Sequence, residues 1–350
     1  MTDLTDTKNS ERYSELDFLR AAACLMVVIV HASSDYFYSA GHEWIAANVY
    51  DSMVRCAVPL FFMLSGALLM KRAAEEPVAD FVKKRYMRIL APFLFWGSIG
   101  ALLSSPAGVA DFLGKLFCSY AYFHLWYLYL MVGLYLLLPV IGKWYAAASD
   151  REKIFYLSAW AVVCCFSLAN GIFNAFTGGE KDFLKLYHLR EMIGGTWYFV
   201  LGAFLFDNRE SEPVKRIRPS LYLLCFVAVG LLNGLSTYLL STAIGKHSEV
   251  FYPYRSPLVV AAAASFFAFA VRSRCGEWRA FPFIRFVSAY SLGIYCIHGF
   301  ISELVTYDLI TPFIGICAWV VIPAKAVVVF TLALAVACIM KKIPFLRRVV

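Results

Sequence analysis

A chain of 350 residues that is 61% hydrophobic and 16% charged, with a mean hydropathy of +0.67, is not an ordinary soluble domain, which carries about 25% charged residues. Its apolar residues fall in runs of roughly 17 to 25, the length that about 30 Å of hydrocarbon requires, and they lack the short alternating pattern of a β-barrel. The expected fold is an all-α, polytopic transmembrane helix bundle, and the net charge of +8 is no nucleic-acid signature, because membrane topology accounts for where the basic residues lie.

Seventeen mostly polar residues precede the first run and show no cleavable signal pattern, so residues 1–17 are expected to form a cytoplasmic N-terminal segment. Ten candidate spans follow, at about 18–37, 49–70, 87–106, 124–142, 154–171, 191–206, 219–241, 257–271, 283–306 and 314–340. The sixth and eighth are short. The tenth is long and holds Pro323 and Lys325, as a tilted, kinked or partly interfacial helix would. The spans read as a single domain, 18–340, followed by a basic cytoplasmic tail, 341–350. Most of the ten cysteines, among them Cys24, Cys164, Cys225 and Cys296, lie inside the runs and read as small buried hydrophobes. No cysteine or histidine spacing matches a metal site.

The links between spans alternate in charge. Counting both tails, 22 Lys and Arg fall on one side and 6 on the other. Positive residues stay in the cytoplasm, which puts both termini there and requires an even number of spans. Four basic residues remain inside or at the edge of spans: Arg20, Arg55, Arg285 and Lys325. An ionised group in hydrocarbon costs several kcal/mol unless it faces a wet interior or snorkels to the headgroups. Arg285, one turn from the cytoplasmic end of its helix, suits snorkelling, and so does Lys325.

The first span carries the strongest chemical signal. Eleven residues turn an α-helix about 20° past three full turns and raise it by about 16.5 Å, so Arg20 and His31 share one face, the arginine near the cytoplasm and the histidine deep in the membrane. Asp17 stands at i,i+3 to Arg20, and Asp35 at i,i+4 to His31. A neutral imidazole is suited to take a proton from a hydroxyl near neutral pH, and a carboxylate on its other nitrogen would fix the tautomer, as in hydrolytic triads. Arg20 would be an anion site at the mouth, suited to phosphate. Acyl transfer and proton-coupled transport of a glycan or small molecule both use these residue types, and the seam alone leaves both open.

Four motifs carry a resemblance. Leu16-Asp17-Phe18-Leu19-Arg20 followed after ten residues by His31, then Arg55 with Pro59 and Phe61–Gly66, then His124-Leu125-Trp126-Tyr127-Leu128, and last Ser291–Tyr295 with His298 occur in the order seen in the membrane-bound acyltransferase 3 family. The chain is similar to that family from about residue 13 to 340, departing at Ala21, where many members have glycine. The resemblance implies an acyl-CoA-dependent O-acyltransferase of the bacterial inner membrane, with acetyl-CoA as cosubstrate, no permanently bound cofactor, membrane lipid around it, a cell-surface or lipid-linked glycan as acceptor, and no nucleic-acid partner. It also implies that His31 acts at the transfer step, as general base or transient acyl acceptor, with Arg20 and Asp35 in support. Arg55, Ser65, His124, Trp126, Tyr127 and His298 become donor- or substrate-binding candidates. Pro59 and Gly66 are expected to bend the second span and turn Arg55 toward the seam. An aromatic belt at the periplasmic interface is the ordinary account of Trp126 and Tyr127.

Overall fold

In hydrocarbon every backbone N–H and C=O must find its partner within its own segment, which favours helices. The computed structural model describes residues 13–39, 41–190, 194–306, 309–310 and 317–350, and no strand occurs among them. The main helices are α1 (Ser14–Ser34), α2 (His42–Val54), α3 (Ala57–Glu75), α4 (Val78–Leu103), α5 (Val109–Phe117), α6 (Trp126–Ala147), α7 (Asp150–Thr177), α8 (Phe183–Leu186), α9 (Thr196–Asp207), α10 (Glu212–Lys215), α11 (Pro219–Ile244), α12 (Pro257–Arg272), α13 (Phe281–Leu304) and α14 (Ala318–Lys342). Among the described residues eight segments are long and apolar enough to cross a membrane, α2 and α3 counting as one. The other two expected spans, the sixth and eighth, are the apolar but shorter α9 and α12. Lys8 and Arg12, residues 191–193 of the sixth expected span and the start of the tenth at 314–316 lie outside the described residues.

Local chemistry sets several boundaries. Pro219, Pro257 and Pro282 stand in the first turns of α11, α12 and α13, where a missing N–H costs no helical hydrogen bond. Ser149 and Glu152 form a capping box at the start of α7. The second expected span, 49–70, needs correction: the helix begins at His42 and breaks at Arg55 and Cys56 into α2 and α3. Pro59 causes the break, since it has no N–H to give the Arg55 carbonyl and its ring crowds that carbonyl.

α1 sits at the centre, packed on α2, α3, α12, α13 and α14, so its polar face lies inside the bundle. The periphery is apolar: α7 and α11 expose Phe155, Val162, Phe166, Leu231 and Leu235, as suits lipid tails. Arg285 is exposed in the first turn of α13, in keeping with snorkelling. The most extensive helix pair is α3 with α9, where backbones touch. A β-carbon on Gly66 would overlap the Phe199 backbone, and one on Gly202 the Met63 backbone. Gly66 therefore serves close packing rather than a bend. Gly202→Ala is expected to cost about 1–3 kcal/mol through overpacking, seen as a thermal unfolding midpoint several degrees lower in detergent. An unchanged midpoint would mean that the two helices separate without loss.

Candidate active site

At the end of the bundle where α1 begins, a cavity of about 880 Å³ is walled by Arg20, Lys71, Arg72, Arg85, Arg88 and Arg209, with Asp17 and Asp207 as its acidic residues. The cations come from the start of α1, the end of α3, the first turns of α4 and the residue pair after α9, so four elements converge on one vestibule. None of Lys71, Arg72, Arg85 and Arg88 pairs with a carboxylate among the described residues. Arg85 is buried, its guanidinium lies 5.2 Å from the centre of the Phe81 ring, and its Nε has no partner. A concentration of unpaired cations around a wet cavity attracts anions.

The vestibule shares Arg20, Leu68, Leu69, Arg85 and Arg88 with an inner cavity of about 330 Å³, which continues to Ser65, Tyr127, Ser291 and Tyr295. Arg20 stands at the junction. Its Nη1 lies 3.2 Å from Asp17 Oδ1 and donates to Ser288 Oγ at 3.0 Å, and the Ser288 hydroxyl donates to the same carboxylate oxygen at 2.7 Å. The i,i+3 pair expected on α1 is therefore locked from α13. Ser288 carried no sequence signal, because the contact spans 268 positions.

Past Tyr295 three imidazoles meet. The fully buried His298 of α13 has its ring centre 5.2 Å from that of His31 on α1 and 4.9 Å from that of His124, which is held in a single 3-10 turn, Phe123–Leu125, ahead of α6. Tyr295 joins cavity to cluster: its ring lines the cavity, its hydroxyl donates to the His124 carbonyl, and its own carbonyl lies 2.6 Å from His298 Nδ1. Gly299 lets the His124 ring lie against the α13 backbone, where a β-carbon would overlap it. On its other side His31 meets Phe123, ring centres 5.1 Å apart, and Phe123 is exposed. The cluster thus lies between a cavity open to the basic end and a ring that faces outward. Among the described residues no three His, Cys, Asp and Glu side chains are arranged to hold a metal ion.

Other candidates sit differently from expectation. Asp35, the residue capping α1, receives Lys325 Nζ at 2.8 Å, and no bond joins it to His31. Lys325 does not snorkel: α14 places it inside, 2% exposed, and a buried ammonium takes the nearest carboxylate. Arg55 is turned to Asp51, 2.6 Å away, and lies over the Tyr252 ring at 4.5 Å. Asp51 stands at i,i+4 to Arg55 inside the expected second span, a spacing not among those read from the sequence. Trp126 and Tyr127 form no lipid-facing belt. Trp126 stacks on Tyr254 at 5.5 Å and Tyr127 on Phe62 at 5.4 Å. Ser65 is buried on the inner cavity wall.

Over residues 13–341 the chain matches the model of an acyltransferase domain. An amino-acid racemase of Enterococcus faecalis is 25% identical over 265 residues, which make up 70% of this chain and 34% of that protein. The chain therefore spans about a third of the length of that curated relative. No solved structure matches it. With the family model covering nearly its whole length, the chain belongs to the acyltransferase 3 family, and among its described residues eight segments have the length and apolarity to cross a membrane.

Proposed function

We propose that the protein moves an acetyl group from acetyl-CoA to a hydroxyl of a cell-surface or lipid-linked glycan in the bacterial inner membrane, with its basic end in the cytoplasm. Within the family the chain resembles the O-acetyltransferase that modifies enterobacterial common antigen, which suggests the acceptor class. The observation that supports this reading most is the vestibule rich in cations leading through a narrow cavity to Tyr295 and the histidines behind it. Phosphates suit the vestibule, and a slim pantetheine arm suits the inner cavity. A glycan hydroxyl would approach His31 from the Phe123 side.

In direct transfer His31 takes the hydroxyl proton while the hydroxyl oxygen bonds to the thioester carbonyl carbon. The C–S bond breaks, and the leaving thiolate receives the proton from the imidazolium. In the two-step route an imidazole nitrogen of His31 attacks the thioester carbonyl carbon and holds the acetyl group as the thiolate leaves; the acceptor oxygen then bonds to that carbon, the N–C bond breaks, and the hydroxyl proton ends on the thiolate. The two-step route relieves the need for both substrates at once.

Purified protein incubated with radiolabelled acetyl-CoA tests the reading. Saturable donor binding with slow thioester hydrolysis is expected, and rapid quenching without acceptor separates the routes by the presence or absence of labelled protein. Absence of both binding and hydrolysis in a folded preparation overturns the assignment. The acceptor follows from deleting the gene and weighing surface glycans for a lost acetyl group.

A further inference from the structure

With Asp35 held by Lys325, no carboxylate among the described residues bonds to the imidazole of His31. We infer that His298 does the positioning in its stead: its neutral ring accepts a hydrogen bond from a ring N–H of His31, which leaves the other His31 nitrogen bare toward the reacting groups. This inference rests on the reading of His31 as the transfer group.

Tautomers decide which nitrogen can do what. His298 Nδ1 lies 2.6 Å from the Tyr295 carbonyl and 3.3 Å from the Ile294 carbonyl. Carbonyls only accept, so Nδ1 carries the proton and Nε2 of the neutral ring is a lone pair. That Nε2 is buried with no partner, a state that costs free energy unless a donor arrives.

The neighbours narrow the choice of donor. His124 Nε2 lies 2.9 Å from the Cys296 carbonyl, so that nitrogen is the protonated one. Its Nδ1 is a second unpartnered lone pair, and two lone pairs cannot bond each other. The Tyr295 hydroxyl is committed to the His124 carbonyl. His31 remains, and its ring centre is 5.2 Å from that of His298. Two imidazoles joined by one N–H···N bond have centres about 5 Å apart, given a nitrogen separation of about 2.9 Å. A turn of the His31 ring closes the bond without moving either helix, as catalytic hydrogen bonds tighten when substrate binds.

The Asn and Gln variants separate this role from a structural one. His298→Asn keeps an N–H where Nδ1 donates to the Tyr295 carbonyl but has no acceptor at the Nε2 position. His298→Gln puts an acceptor oxygen near that position. Purified variants assayed for acetyl transfer are expected to show a loss of kcat of roughly 30-fold for His298→Asn, with KM for acetyl-CoA unchanged, and recovery to within about 5-fold of the parent for His298→Gln. Retained activity in His298→Asn, or equal loss in both, overturns the inference. Thermal unfolding reports whether each variant folds, and if His298→Asn does not, His298→Met is read by the same criterion. An inactive His31→Ala beside a fully active His298→Asn sinks this inference alone, whereas an active His31→Ala sinks the reading beneath it.

Discussion

His31→Ala is expected to lower acetyl transfer by roughly 10² to 10⁴-fold, the range that a positioned acid–base group contributes, and to leave the thermal unfolding midpoint near that of the parent. The side chain sits near the end of α1, makes ring contacts with Phe123 and His298, and anchors no backbone group. Removing it therefore takes away chemistry and little packing. The vestibule and inner cavity lie elsewhere along α1, walled by Arg20, Tyr127 and Tyr295, so binding of acetyl-CoA should persist in the variant. Isothermal titration beside a transfer assay reads both at once. Near-normal transfer removes His31 from the mechanism, and loss of binding together with transfer would mean that the histidine holds the donor instead of reacting with it.

The paired change Arg85→Gln and Arg88→Gln should raise KM for acetyl-CoA by about 100-fold with kcat nearly unchanged, since two charge-assisted contacts at about 1.5 kcal/mol each are lost. Both residues line the vestibule and the inner cavity, and neither is bound to a carboxylate among the described residues. Gln keeps much of the stem that packs in the wall, which spares the fold. Acetyl-pantetheine supplies the internal control: it has the thioester and the slim arm but no nucleotide phosphates, so its KM should not respond to the substitutions. Added salt should weaken acetyl-CoA binding to the parent more than to the double variant, because screening acts on charges that are present. An unchanged KM for acetyl-CoA would take the donor phosphates away from this vestibule.

Much of the architecture was legible because hydropathy and length are local properties. Apart from the second, which begins earlier and is broken, the long spans and the two short ones, α9 and α12, overlap the apolar runs. The Asp17–Arg20 pair was legible too, since a spacing of three residues on one helix brings it together. The break at Arg55 was half legible: Pro59 announced a distortion, but residues 42–48, the start of the helix before it, are polar enough to have been left outside the span. Trp126 and Tyr127 were misread for a different reason. Aromatic residues at the start of a span suit an interface and a packed interior equally well, and only the rings of Tyr254 and Phe62 opposite them decide between the two.

The amino-acid pattern by itself determined that this chain is a membrane helix bundle and that its first helix carries a guanidinium and an imidazole on one inward face, since both follow from periods of a few residues. Only the tertiary structure decided what those groups meet. Asp35 left His31 for Lys325, 290 positions away, and His31 gained His298 on another helix. The physical reason is that a buried charge or lone pair binds whatever complementary atom the packing of distant helices brings within about 3 Å, and no short window of sequence contains that atom.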